Sequence, residues 1–157
     1  MNNREYTDSE KKCIRTAMNI LAYADNTCRR LVIKLRQKGF SSEDADTAVA
    51  YCLEKGYIDE ARQLEAAVHH LAVHKLYGRR RITAELNKLG FSRTAIAEAD
   101  YSGIDFAENC YQLWLKRGGI LDDRTRQYLA AHGYGSSDIS LAQKRIMEQQ
   151  DEEENDL

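Results

Sequence analysis

The sequence contains the stretch Leu35-Arg36-Gln37-Lys38-Gly39-Phe40, and its pattern occurs twice more in the chain. The second copy reads Leu86-Asn87-Lys88-Leu89-Gly90-Phe91, and the third reads Leu129-Ala130-Ala131-His132-Gly133-Tyr134. The shared pattern is a leucine, three further residues, a glycine and an aromatic residue, with a serine soon afterwards. Glycine supplies the left-handed conformation that ends a helix, and serine caps the next helix. The pattern therefore predicts three copies of one helix–turn–helix unit.

Helix signals also occupy the rest of the chain. Thr7 and Glu10 form a capping-box pattern ahead of an apolar helix face that begins at Ile14. Further helix starts are expected at Asn26 or Thr27, Ser42, Asp59, Arg79, Ser92, Asp105, Asp122, and Ser136 or Ser137. The chain has no proline, which also favours helix. We therefore predict an all-α fold of three tandem three-helix repeats, stacked in an elongated, curved array.

The predicted boundaries follow from the pattern and from the change of charge near the end of the chain. They give an N-terminal segment 1–9, three-helix repeats at 10–57, 58–103 and 104–148, and an acidic tail at 149–157. The last ten residues include Glu148 and five further acids. Because like charges repel and the tail has little apolar surface to bury, we expect it to be disordered.

The composition limits the class of protein to which the chain can belong. Charged residues make up 31% and hydrophobic residues 43% of the chain, which is typical of a folded soluble protein. The longest apolar run, near Ile20 to Ala24, is far shorter than the roughly 20 residues of a membrane span. The first residues also have no apolar signal-peptide segment. We therefore expect a cytoplasmic protein that does not enter a membrane.

The sequence offers no recognisable catalytic or metal-binding set. The four cysteines, Cys13, Cys28, Cys52 and Cys110, lie far apart and form no C-x-x-C motif, so we expect reduced structural thiols. His70 and His74 share a helix face but have no third ligand in a known motif. We therefore predict that the protein is not an enzyme and needs neither a cofactor nor a metal.

Basic residues recur at matched positions of two repeats. With Leu31 and Leu35 facing inward, Arg29 and Arg36 face outward. The corresponding helix of the second repeat places Arg80 outward. The full set of candidate partner-binding residues is Arg29, Arg30, Lys34, Arg36, Lys75, Arg79, Arg80, Arg81 and Lys88. The alternative is a solvated helix face with local ion pairs such as Arg81 with Glu85.

Two further segments carry a family resemblance. They are Gly56-Tyr57-Ile58-Asp59-Glu60 and Gly78-Arg79-Arg80-Arg81-Ile82-Thr83-Ala84-Glu85-Leu86-Asn87-Lys88-Leu89-Gly90. In this order and spacing they resemble the RecX family, over roughly Lys12 to Ile146. The resemblance implies three tandem three-helix repeats and a regulator that binds the RecA nucleoprotein filament on single-stranded DNA. It also implies inhibition of the recombinase, ATPase and co-protease activities of RecA in DNA repair and the SOS response.

Other functions stay open from the sequence alone. A basic helical-repeat protein could bind DNA without RecA, although the net charge of −2 argues against tight binding to bare DNA. A weak direct DNA contact is also compatible with binding to the filament. A helical scaffold with no nucleic-acid partner is the third reading. We expect a monomer, because no apolar stripe remains once the core faces are assigned.

Overall fold

The computed structural model describes residues 4–157, and the regular secondary structure of this part of the chain is helical. The helices are α1 Asp8–Tyr23, α2 Cys28–Gln37, α3 Ser42–Glu54, α4 Glu60–His69, α5 Arg79–Lys88, α6 Arg93–Glu98, α7 Phe106–Lys116, α8 Asp123–Ala131 and α9 Ser136–Asn155. A short π-helix, His70–His74, continues from α4. The all-α prediction is confirmed.

The helices begin near the predicted residues, with two corrections. The capping box of α1 is present, because Thr7 Oγ1 accepts from the Glu10 amide and the Glu10 carboxylate accepts from the Thr7 amide. Ser41 caps α3 in place of the predicted Ser42, since its hydroxyl accepts from the Asp44 amide at 3.1 Å. Helix α9 follows Gly135, so neither predicted serine caps it.

The three pattern glycines end their helices as predicted. Gly39, Gly90 and Gly133 have φ values of +98°, +94° and +97°, in the left-handed region that favours glycine. The amide after the first of them donates to the Leu35 carbonyl at 3.3 Å, and the Tyr134 amide makes the same bond to Leu129. These bonds satisfy carbonyl groups that the end of a helix leaves without a partner.

Contacts between Cα atoms divide the chain into two compact units, whereas the sequence suggests three repeats. Unit 1 comprises the residues up to Leu64 together with Asn87–Ala95, and unit 2 comprises Glu65–Leu86 together with Ile96–Leu157. The residues of the middle predicted repeat, 58–103, are therefore shared between the two units. The repeat boundaries stay a prediction.

Unit 1 has a core built by α1, α2 and α3. Leu31 and Leu35 of α2 are fully buried, as the helix periodicity predicts. They belong to a cluster of buried residues that also contains Cys13, Ile14, Ala17, Ala45, Ala48, Val49, Cys52 and Ile58. Complete burial of a leucine side chain stabilises the folded state by about 1.5–3 kcal/mol. This core fixes which face of α2 points to solvent.

Unit 2 has a core built by α7, α8 and α9. Trp114 and Tyr134 are the largest fully buried side chains, and both polar atoms are bonded. Trp114 Nε1 donates to the Ile120 carbonyl at 2.8 Å, and the Tyr134 hydroxyl donates to the Leu76 carbonyl at 2.6 Å. Trp114 and Tyr134 therefore belong to the core of unit 2.

The acidic end of the chain differs from the expected disorder, because α9 continues to Asn155. Buried Ala142 and Ile146 anchor the helix, and the Tyr111 hydroxyl donates to Gln149 Oε1 at 2.6 Å. Glutamate and glutamine are also good helix formers, so an anchored helix extends through them. Residues 151–157 are all exposed.

The connection between α4 and α5 is irregular in a way that the sequence did not predict. The π-helix His70–His74 is followed by Leu76 with a φ of +52°, which is uncommon outside glycine. The carbonyl of Leu76 receives the Tyr134 hydroxyl, which favours this conformation. Across residues 4–157, none of the helices combines the length and the apolar character needed to cross a membrane.

Candidate partner-binding surface

Helix α2 presents two arginines to solvent. It begins at its N-cap Thr27 and buries Leu31 and Leu35, so the opposite face carries Arg29 and Arg36. Both arginines are exposed. Within residues 4–157, neither guanidinium forms an ion pair, a side-chain hydrogen bond or a ring contact. Both are therefore available to an external anion.

Three further candidate basic residues lie in unit 1, two of them on the flanks of α2 and one at the end of α5. Arg30 and Lys34 are half-buried, as expected for flanking positions, and Lys88 of unit 1 is exposed. The aliphatic stem of Arg30 packs close to Gly90, because a Cβ on that glycine would lie 3.0 Å from Arg30 Cγ. Arg30 therefore has a packing role within unit 1 as well as a charge.

The arginines of α5, by contrast, are engaged inside unit 2. The Arg79 guanidinium lies 4.7 Å from the centroid of the Tyr101 ring. Arg80 Nη2 donates to the Tyr134 carbonyl at 3.2 Å, although the residue is exposed overall. These contacts tie the start of α5 to its own unit. Arg80 therefore differs from its sequence equivalent, Arg29, in having an internal partner.

Arg81 has two internal contacts. Its Nε lies 3.0 Å from Glu85 Oε1 in the i,i+4 ion pair that the alternative interpretation predicted. Its guanidinium also lies 4.8 Å from the centroid of the Tyr77 ring. Lys75, which follows the π-helix, is exposed, and the structure shows no ion pair for it among residues 4–157.

A groove beside α2 in unit 1 was missed by the sequence interpretation. It has a volume of about 430 Å³ and lies between the end of α1 and the end of α2. Its lining residues are Ile20, Tyr23, Ala24, Asn26, Lys34, Gln37 and Lys38. Tyr23 is 95% exposed, and the lining contains two lysines and no acid. The signal available in the sequence was Tyr23, an aromatic residue shortly before the predicted helix start at Asn26 or Thr27.

Metal ligation and thiol chemistry find little support in the geometry. Among residues 4–157, no three His, Cys, Asp or Glu side chains are arranged to hold a metal ion. The ring centroids of His70 and His74, both exposed residues of the π-helix, are 5.4 Å apart. Burial raises the pKa of Cys13 to about 11 and that of Cys110 to about 12, which disfavours the reactive thiolate at neutral pH.

Comparison with known proteins places the chain in a family. The family model for the first three-helix domain of RecX matches residues 13–52, inside the first predicted repeat. The regulatory protein RecX of Pseudomonas savastanoi pv. phaseolicola is 38% identical over 128 residues, covering 76% of this chain and 82% of the relative. The regulatory protein RecX of Pseudomonas syringae pv. tomato is 34% identical with the same coverage.

Solved structures show the same fold. The crystal structure of RecX from Lactobacillus salivarius superposes with a TM-score of 0.78 at 19% identity, covering 88% of this chain and 97% of that one. A second crystal structure of a regulatory protein RecX gives a TM-score of 0.73, also at 19% identity, and covers 92% of this chain and 81% of that one. Sequence identity over most of both chains, a matching domain model and a shared fold agree, and the chain belongs to the RecX family of regulatory proteins.

Proposed function

We propose that this protein binds the RecA nucleoprotein filament on single-stranded DNA and inhibits the recombinase, ATPase and co-protease activities of RecA. It acts in the cytoplasm by binding alone, without a catalytic step or cofactor. Support comes from its membership of a regulatory family and from the resemblance of its motifs. The observation that carries the proposal is the pair of exposed arginines on α2, which lack an internal partner in the described chain.

Arg29 and Arg36 suit an anionic filament surface. A guanidinium binds a carboxylate or a phosphate through two parallel hydrogen bonds, and arginine remains charged at any physiological pH. The two residues are seven positions apart, about two helical turns, so they lie roughly 10 Å apart along one face of α2. This face can therefore contact two anionic groups of a repeating surface at once.

The remaining basic residues receive secondary roles in the proposal. Arg30, Lys34, Lys75 and Lys88 form peripheral contacts that raise the association rate more than the affinity. Arg79, Arg80 and Arg81 are bonded within unit 2 and mainly hold α5 in place. A filament could still displace their exposed contacts, so their reversal is expected to have a smaller effect on binding and a larger effect on stability.

RecA's DNA-dependent ATP hydrolysis on single-stranded DNA tests the proposal. The protein is titrated into preformed filaments of RecA from the same organism, and its binding to the same DNA without RecA is measured beside it. We expect hydrolysis to fall at protein concentrations well below those that coat the bare DNA.

The alternative, a DNA-binding protein that acts without RecA, makes a different prediction. It requires hydrolysis to fall only when the DNA itself is bound, with the strong salt dependence of phosphate contacts. Unchanged hydrolysis at saturating protein contradicts both functions and favours the scaffold reading.

A further inference from the structure

A docking contact joins one pattern turn to the start of α2 in unit 1. The Thr27 hydroxyl donates to the carbonyl of Leu89 at 3.0 Å, directly before the pattern glycine Gly90. A Cβ on Gly90 would lie 2.5 Å from Thr27 Oγ1, so the turn and the helix start are in close contact. The turn of the second predicted repeat therefore receives the start of a helix of the first.

Unit 2 contains an equivalent contact, between the start of α5 and the turn of the third repeat. The Gly78 amide donates at 2.7 Å to the carbonyl of His132, directly before the pattern glycine Gly133. A Cβ on Gly133 would lie 2.3 Å from the Arg81 amide nitrogen. The turn of the third repeat therefore receives the start of α5, which is the equivalent of α2. Each such turn docks on the second helix of the preceding repeat.

In this series of contacts, two members have no such partner in the described chain. They are the turn of the first repeat, at Gly39, and the start of α8, which is the second helix of the third repeat. At the first turn, a Cβ on Gly39 would meet no atom within 4 Å, and Lys38 beside it is exposed. At the other end, Asp122 and Asp123 at the start of α8 are both exposed. The Asp123 side chain is 94% exposed and forms an ion pair with Arg126, three residues along the same helix.

The two unused surfaces are complementary in chemistry. The first turn adjoins the groove of about 430 Å³, which combines apolar Ile20 and the exposed Tyr23 with Lys34 and Lys38. The N-terminal end of α8 carries Asp122 and Asp123, with Arg124 and Arg126 after them in its first turn. It follows Ile120 and Leu121, which are 54% and 36% exposed. Asp122 and Asp123 of one surface are thus complementary in charge to Lys34 and Lys38 of the other, and both surfaces contain exposed apolar side chains.

We propose that the start of α8 in one copy of this protein docks on the first pattern turn and its groove in a second copy. Ile120 and Leu121 enter the groove, and Asp122 and Asp123 face Lys34 and Lys38. Because the two surfaces differ, each copy keeps one of each free, and the contact can extend to further copies. This departs from the monomer that the sequence suggested.

Sedimentation velocity of the protein alone, over a series of concentrations, tests the contact. Neither RecA nor DNA is present, so the result is independent of the proposed function. The variants are Lys38→Glu and Asp123→Lys, each of which places like charges across the contact. We expect the sedimentation coefficient of the natural protein to rise with concentration, and each variant to need an about threefold or higher concentration for the same rise.

An equimolar mixture of the two variants provides the internal control. The mixture restores opposite charges in every contact between two different variants, so association should rise well above that of either variant alone, toward the natural level. A variant that simply misfolds would not be rescued in this way. A sedimentation coefficient of the natural protein that is independent of concentration overturns the proposal. Association that neither variant weakens, or weakened association that mixing does not restore, also overturns it.

Discussion

Replacing Gly78 with alanine should destabilise unit 2 strongly, although it adds a single methyl group. A Cβ at this position would lie 2.3 Å from the carbonyl carbon of Gly133 and 2.4 Å from the Tyr134 amide nitrogen. Both are backbone atoms, so the turn must move away from the start of α5. That movement breaks the hydrogen bond from the Gly78 amide to His132.

The expected cost follows from these contacts. Forcing an extra carbon into a packed site costs about 1–3 kcal/mol. Losing the Gly78–His132 bond and the neighbouring bond from the Arg80 amide to Gly133 adds about 0.5–1.5 kcal/mol each. The free energy of unfolding should therefore fall by about 2–6 kcal/mol. For a chain of this length that corresponds to a drop in Tm of about 6–18 °C.

Trp114 provides the assay, because it is the single tryptophan of the chain and is fully buried in unit 2. Its fluorescence during denaturant unfolding reports on the unit that the substitution affects. Gly103→Ala is the matched control, since a Cβ there would meet no atom within 4 Å and its φ lies outside the left-handed region. A Gly78→Ala variant within about 0.5 kcal/mol of this control would refute the close backbone contact.

Three further predictions concern a cap, the tail and the thiols. Thr27→Val removes a helix cap and leaves the part-buried Leu89 carbonyl without its donor. Denaturant unfolding followed by circular dichroism should therefore show a loss of about 2–4 kcal/mol in the free energy of unfolding, with Thr27→Ser restoring most of it. Deletion of 151–157 should leave the free energy of unfolding within about 0.5 kcal/mol, whereas deletion of 149–157 should cost about 1–3 kcal/mol more, because it removes the bonds to Tyr111 and Gly119. Burial raises the folded-state pKa of Cys13 and of Cys28 from 9.0 to about 11, so the protonated thiol is favoured by folding and the free energy of unfolding should decline as the pH rises from 9 to 11. A flat unfolding free energy over that window would contradict this, with a Cys13→Ala, Cys28→Ala variant as the reference.

Local signals predicted the helices and their ends because those signals act over a few residues. The pattern leucines are buried and the pattern glycines adopt positive φ, as their spacing indicated. Ser41 displaced Ser42 as the cap of α3 because neighbouring serines are equally able to accept the bond. Which of two neighbouring serines caps a helix depends on where the preceding turn ends.

Contacts between residues far apart in the sequence were not predicted. The outward direction of Arg80 was predicted from helix geometry, but its bond to the Tyr134 carbonyl spans 54 residues. The helical tail was missed because its acidic composition was read alone, without Ala142 and Ile146, which anchor α9. The groove beside Tyr23 was also missed, because it forms only when α1 and α2 pack together.

Filament binding through α2 is tested most directly by titrating a charge-reversed variant into RecA filaments on single-stranded DNA. The variant is Arg29→Glu, Arg36→Glu, and its matched control is Lys11→Glu, Arg15→Glu on α1, which changes the net charge equally at two exposed residues of unit 1. We expect the α2 variant to need an about tenfold or higher concentration to lower RecA's ATP hydrolysis by half, equivalent to about 1.4 kcal/mol or more of binding energy. The α1 control should stay within about threefold of the natural protein. Equal inhibition by the natural protein and the α2 variant, with both correctly folded, would contradict the proposed role of Arg29 and Arg36.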